Sequence, residues 1–290
     1  EPMEPQQESN RPTEDQQAIS PQTSTERAYH RVADTGEFAA EIMAIRSMRP
    51  AVIAIDGPAG AGKSTVGYEL AQILNFLFFD TGIMYRAVTR AALDRNIDLH
   101  DAAAVGTMTK RIDIDVTPVD EKETELLARG IYCHVQIDGG NVTLQLRTPE
   151  VERNVSIISA HAPVRHALSE QQRRIGLRYG TGKAERLGIV MAGRDIGTVV
   201  LPDAPLKIYM VASLAERARR RFCEQRKKGK AVKLTQVLAE IEKRDALDSQ
   251  RALSPLRRPD DALEIDTSEM NMAEVLEFLL LTAADQILID

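Results

Sequence analysis

The run Gly57-Pro58-Ala59-Gly60-Ala61-Gly62-Lys63-Ser64, followed by Thr65, has the spacing G-x-x-x-x-G-K-[ST]. Such a run suits phosphate chemistry. Glycines let the backbone bend until its N–H groups face phosphate oxygens, and a helix starting there adds unsatisfied N–H donors and a partial positive charge. Lys63 is long enough to reach β- and γ-phosphates, and the Ser64 hydroxyl is a ligand for Mg²⁺. The spacing alone is a weak signal, so its surroundings matter. Ala51–Ile55 is a short, continuously apolar run of the kind a buried parallel strand requires, and Val66, Leu70, Ile73 and Leu74 then recur at helical spacing. A strand, a glycine-rich turn and a helix in that order predict an ATP-binding loop.

Beyond this loop, apolar runs at Phe76–Phe79, Gly188–Ala192, Leu206–Ala212 and Leu263–Asp266 read as further strands. Helices are expected near 84–94, 213–229, 234–246 and 271–284. Strands alternating with helices predict a doubly wound α/β core with a parallel sheet. Residues 112–147 break the rhythm. Ile112–Val116, Ile131–Ile137 and Val142–Leu146 read as strands, and Asp138-Gly139-Gly140 as a hairpin turn, giving a small antiparallel β insert. The expected division is a core over 49–111 and 148–290, with the insert at 112–147.

Residues 1–48 differ in composition from the rest. They hold nine acids against four bases and are rich in Gln, Pro, Ser and Thr. Such a stretch buries too little apolar surface to offset its ordering entropy, so residues 1–35 are expected to be disordered, with a short helix at 37–46. Met43 and Met48 are candidate translation starts. The tail carries most of the net charge of −6, leaving the remainder close to neutral. A general nucleic-acid binder would be basic. Cys133 and Cys223 lie far apart and form neither metal-ligand spacing nor a disulfide framework. No apolar run approaches the ~18 residues of a membrane span, and no signal peptide opens the chain; a cytoplasmic location is the default expectation. The five histidines, at 30, 100, 134, 161 and 166, need no catalytic part.

Among proteins with such a loop, a GTPase would carry a guanine-reading Asn-Lys-x-Asp segment, and no Asn-Lys pair occurs. A kinase of a small phosphate-bearing acceptor fits the length better. Asp56–Thr65, Asp80-Thr81-Gly82-Ile83-Met84-Tyr85-Arg86, Arg147–Val151, Gly193–Val200 and Arg244–Leu256 occur in this order. Together, over about Ala51 to Leu280, they resemble bacterial cytidylate kinases.

That resemblance implies transfer of the ATP γ-phosphate to CMP or dCMP with Mg²⁺, by a monomer with an acceptor-binding insert and a mobile lid around 213–245. It implies that Asp195, Arg165 and Ser156 read cytosine. A carboxylate suits the N4 amine and an arginine the N3 and O2 acceptors. Arg244 and Asp248 correspond to sugar contacts, and Arg86, Arg194 and Arg251 to contacts with the acceptor phosphate. Thr81 and Tyr85 line the same site. Arg217 and Arg220, on the first lid helix, would join Lys63 and Arg194 in neutralising charge during transfer. Arg221 shares their helix, whereas Arg219 and residues 226–230 read as a solvated basic face. No general base is needed, because the attacking phosphate oxygen has a second pKa of about 6.

Two departures from the family pattern stand out. Ala192 occupies the position before Gly193 where an acid is usual, removing a carboxylate near the metal; Asp195 or Asp56 could compensate through water. Pro118–Arg129 is longer and more charged than the usual hairpin and is expected to be a solvated loop. Two other readings of the residues stay open: a kinase for UMP or AMP, and an ATP-binding module without a second substrate.

Overall fold

The computed structural model describes residues 36–251 and 253–289. The expected disorder of residues 1–35 lies outside that range. The main sheet contains β1 (Val52–Asp56), β2 (Leu77–Asp80), β6 (Ile189–Ala192), β7 (Leu206–Val211) and β8 (Leu263–Asp266). Its order is β2-β6-β1-β7-β8, and every pairing is parallel. β1 is buried throughout, as its unbroken apolar run requires.

Helices cover both faces. On one, α1 (Ala39–Ser47), α2 (Lys63–Leu74) and α10 (Met272–Ile289) enclose a core that includes Ile53, Ile55, Val66, Leu70 and Leu276. On the other, α3 (Gly82–Asp94), α4 (Ala102–Arg111), α6 (Pro149–Ala160) and α7 (Ala162–Gly180) pack around Phe79, Val88, Leu168 and Ile175. The chain is therefore a doubly wound α/β protein. The helix expected at 37–46 is present as α1. Ile45 is buried, and Arg46 donates from Nε to Leu74 O (3.0 Å) and from Nη2 to Ile73 O (2.9 Å). These bonds serve carbonyls left open at the C-terminus of α2.

The second sheet is small and antiparallel, β3 (Ile114–Pro118), β4 (Cys133–Ile137) and β5 (Gly140–Asn141) in that order. Asp138 and Gly139 both have positive φ, 51° and 81°, in the tight turn that their sequence signalled. Two local expectations fail. Val142–Leu146 is not a strand; Thr143–Arg147 forms a 3₁₀ turn. The Thr143 hydroxyl accepts from Val135 N at 2.9 Å and donates to Asn141 Oδ1 at 2.7 Å, which turns the chain off the sheet edge. Pro118–Arg129 is not wholly a loop, because Thr124–Ala128 makes a one-turn helix, α5.

The region expected to form a lid contains α8 (Leu214–Lys227) and α9 (Leu234–Ser249). Ser213 caps α8 by accepting from Glu216 N at 3.2 Å. Ala218, Val237 and Ile241 give this helix pair a small core of its own.

Candidate active site

In a parallel sheet the ligand edge lies outside the carboxyl ends of the strands. Here β1 ends at Asp56 and the loop Gly57–Gly62, β2 at Asp80 and Thr81, and β6 at Ala192, followed by Gly193, Arg194 and Asp195. β7 leads into α8, and β8 ends beside Thr267. The phosphate loop, Thr81, Arg194 and Asp195 thus lie along one edge.

The phosphate loop lies tight against β7. A Cβ on Gly57, whose φ is 147°, would stand 2.0 Å from Met210 O. Only glycine fits both that approach and that conformation. Pro58, Gly60 and Gly62 are half-buried, Ala59 and Ala61 are buried, and Ser64 and Thr65 are exposed at the start of α2. The Lys63 ammonium donates to Gly57 O and Pro58 O, both at 2.7 Å. Burial, then the Arg194 charge, push its pKa well below the ordinary lysine value. A phosphate anion beside it would oppose that shift by favouring the charged ammonium. The Ser64 hydroxyl donates to Asp80 Oδ2 at 2.9 Å.

Asp56 connects this loop to the next one. Its buried carboxylate accepts from Ile196 N at 2.9 Å and Gly197 N at 2.7 Å. Those amides open a π-helical turn, Ile196–Val200, which fixes the loop carrying Arg194 and Asp195. Burial raises the Asp56 pKa to about 6, even though the two N–H donors favour the anion.

On the acceptor side, Arg165 of α7 reaches Asp195, Nη2 to Oδ2 at 3.0 Å, with both side chains buried. The Arg165 guanidinium carbon stands 5.6 Å from the Tyr85 ring centroid, and Arg165 Nε is buried without a partner among the described residues. Arg194 Nε donates to Asp248 Oδ2 at 2.8 Å, and Arg251 donates to Asp248 Oδ1. Burial, and next the Arg165 charge, lower the Arg251 pKa. Burial opposes ionisation of Asp248, but Arg194 and Arg251 hold its pKa below the ordinary value. Arg244 lies at 4.0 Å from Asp248 with an exposed side chain. Thr81 is buried and donates from Oγ1 to Ala192 O at 3.0 Å.

Two predicted residues lie further from this cluster. Arg86 faces the insert side, donating to Leu146 O at 3.4 Å with Glu152 at 3.7 Å. Ser156 is exposed on α6. Both lid arginines have protein partners. Arg217 is buried, donating to Ala212 O (2.9 Å), to Ala59 O of the phosphate loop (3.2 Å) and to Asp245 Oδ2 (2.6 Å). Arg220 pairs with Glu216 at 2.8 Å and donates to Thr267 Oγ1 (3.0 Å) and Thr267 O (2.5 Å). Arg219 shares Glu216, whose pKa falls to about 2, first through the Arg219 hydrogen bond.

Sequence reasoning passed over Asp80, Asp245 and Thr267. Asp80 stood in a quoted motif, and its place at a strand end was the available signal. Asp245 and Thr267 had none, because their partners lie 28 or more residues away. Neither cysteine enters the site. Burial raises the Cys133 thiol to about 12, and Cys223 is exposed on the lid helix.

A cytidylate kinase family model matches residues 53–285, most of the chain and all the elements that build this edge. The chain belongs to the cytidylate kinase family. Several cytidylate kinases are similar to it over nearly their full length. The cytidylate kinase of Desulforamulus reducens is 48% identical over 228 residues, 79% of this chain and 94% of that protein. That of Bacillus velezensis is 44% identical over 223 residues, 77% and 92% respectively. That of Bacillus subtilis is 43% identical over 228 residues, 79% and 94%. Among the described residues, no helix is long and apolar enough to cross a membrane.

Proposed function

We propose that this chain transfers the γ-phosphoryl group of ATP to CMP or dCMP, giving ADP and CDP or dCDP. The observation that carries this is the buried Arg165–Asp195 pair beside Tyr85, set next to the Arg194–Asp248–Arg251 cluster. A buried arginine with a spare Nε donor, joined to a carboxylate, matches a base edge that offers acceptors next to an amine. Uracil would set its O4 acceptor against Asp195, and unpaired buried polar groups of that kind discriminate strongly.

The roles are those the family resemblance implies, and the positions of the side chains are compatible with them. Lys63 and the N–H groups of Gly57 and of residues 59–64 cradle the donor phosphates, and Thr65 extends that cradle. Arg194 and Arg251, released from Asp248, take the acceptor phosphate. Asp248 and Arg244 then face the sugar. Thr81 and Tyr85 wall the site, and Arg86 and Ser156 approach from the insert side when it closes. Arg220 starts beside Gly62, where an added Cβ would lie 3.7 Å from its Nη1. A short swing takes it from Thr267 onto the phosphates. Arg217 supports the loop through Ala59 O. Catalysis then rests on alignment and charge neutralisation.

The Ser64 hydroxyl, held by the Asp80 carboxylate, is a hard oxygen ligand of the kind Mg²⁺ prefers, together with nucleotide phosphates. When bound, Mg²⁺ supplies charge neutralisation at the β- and γ-phosphates. The test is ADP release from Mg-ATP with CMP, dCMP, UMP, AMP and GMP in turn. CMP and dCMP should be preferred. Preference for AMP or UMP would overturn the cytosine assignment, and release without any acceptor would favour a nucleotide-binding module.

A further inference from the structure

The hydroxyl of the phosphate-loop serine has a fixed orientation. Ser64 Oγ donates its one proton to Asp80 Oδ2 at 2.9 Å, while Asp80 Oδ1 accepts from Gly82 N at 3.0 Å. A serine hydroxyl has one donor and two acceptor lone pairs. With its proton committed to Asp80, both lone pairs are left for a cation arriving with the nucleotide.

The packing explains why Asp80 can do this. Asp80 lies opposite Ala192 in the β2–β6 register. Paired residues in adjacent strands share a face, about one strand spacing of 4.7–4.9 Å apart. Phe78 and Ala192 both pack in the core beneath α2, so alternation along β2 puts Asp80 on that side too. The helix approaches closely at Gly67, where an added Cβ would lie 2.6 Å from the Phe78 ring. That approach brings Ser64, one turn earlier, onto Asp80. Ala192 contributes no carboxylate to the same face.

We propose that Asp80 is a positioning residue for the metal-nucleotide complex. It orients the Ser64 lone pairs toward Mg²⁺ by holding the hydroxyl proton. This rests on the kinase reading above, in which Ser64 is the metal ligand. Outer-shell partners of this type typically contribute 10–100-fold in metal affinity.

The experiment measures binding without turnover. ADP affinity is determined by calorimetry with and without Mg²⁺ for wild type, Asp80→Ala, Ser64→Ala and the double variant. Asp80→Ala should bind ADP alone within about twofold of wild type, which also reports an intact loop, while losing about 10–100-fold in Mg²⁺ affinity. In the Ser64→Ala background the same change should cost less than about twofold, because Asp80 acts through Ser64. Asp80→Asn keeps the shape and an acceptor for Gly82 N–H. Its weaker neutral bond to Ser64 should still cost about threefold or more, so poor folding of the alanine variant would not decide the matter. Unchanged Mg²⁺ affinity, or an equal cost in both Ser64 backgrounds, would overturn the proposal. Neither result touches the kinase reading, which stands or falls on CMP phosphorylation by the wild type.

Discussion

Arg165 and Asp195 form an ion pair in which both side chains are buried and the Nε of the arginine has no partner. A buried donor left open costs free energy, which a ligand acceptor placed there would offset. Asp195→Asn replaces an acceptor-only group by one that can also donate. The variant should lose CMP-over-UMP selectivity by about 10- to 100-fold, in line with the roughly 1.5–3 kcal/mol of a charged hydrogen bond. Competition kinetics with mixed CMP and UMP would measure this. Unchanged selectivity would remove Asp195 from base reading.

Arg217 supports the phosphate loop from the lid side. It holds Ala59 O and Asp245 at once, from a buried position. Arg217→Ala strands the Asp245 carboxylate and frees the loop. It should cost roughly 3 kcal/mol in urea unfolding, the low end for breaking a buried pair, because Asp245 is partly exposed. The KM for ATP should rise while the KM for CMP stays nearly constant. Equal rises in both would mean a general loss of structure.

Asp56 makes stability depend on pH in an unusual direction. Its pKa rises from 3.8 to about 6 on folding, chiefly through burial. The folded state therefore binds the proton more tightly. The contribution is complete below about pH 3.8 and disappears as pH climbs through 6. A shift of that size is worth roughly 3 kcal/mol. Asp56→Asn removes the titration, so the stability of wild type relative to the variant should fall between pH 4 and 6.5. A flat difference in denaturant midpoints across that range would refute the shift. The same variant turns an amide N–H toward Ile196 N or Gly197 N, which should also disturb the loop bearing Arg194.

The parts of this site that were legible in the sequence are those set by local pattern. The buried run before Gly57 and the helical spacing after Ser64 fixed the phosphate loop, and apolar runs marked the other main strands within a residue or two. The failures have identifiable causes. Val142, Leu144 and Leu146 alternate like a strand, but the Thr143 hydroxyl captures Val135 N and Asn141 Oδ1 and coils the segment. Asp80 carries no local mark of its partnership, because Ser64 meets it only after α2 settles on β2 at Gly67. Asp195 and Arg165 were found through motif resemblance; their pairing is a tertiary fact, joining residues 30 apart.

Ala192 tests how much one carboxylate can replace another. Asp80 stands beside it in register, so Ala192→Glu places two acids one strand spacing apart beneath α2. Mg²⁺ affinity should rise, since a second anion strengthens a hard-cation site. Without the cation, the two carboxylates repel and the pKa of one should rise. The expected result is a steeper Mg²⁺ dependence of kcat, with lower thermal stability in chelator. No change in either measure would show that position 192 lies outside the reach of the metal.

Asp248 occupies both arginines proposed to hold the acceptor phosphate. It pairs with Arg194 at 2.8 Å through one oxygen and with Arg251 through the other. The carboxylate thus neutralises two guanidinium groups at once and keeps them side by side at little cost in repulsion. Binding must exchange these bonds for bonds to CMP. Asp248→Asn leaves the shape but removes the charge, so Arg194 and Arg251 repel each other and spread apart. Two effects then oppose: the arginines are freer to bind phosphate but poorly placed to do so. Placement should dominate, because effective alignment is worth more than the release of a partly exposed pair. The KM for CMP should rise about tenfold, or roughly 1.4 kcal/mol, with the KM for ATP unchanged. Steady-state kinetics at saturating ATP would decide it, and a lower KM for CMP would show that Asp248 competes with the acceptor phosphate rather than preparing for it.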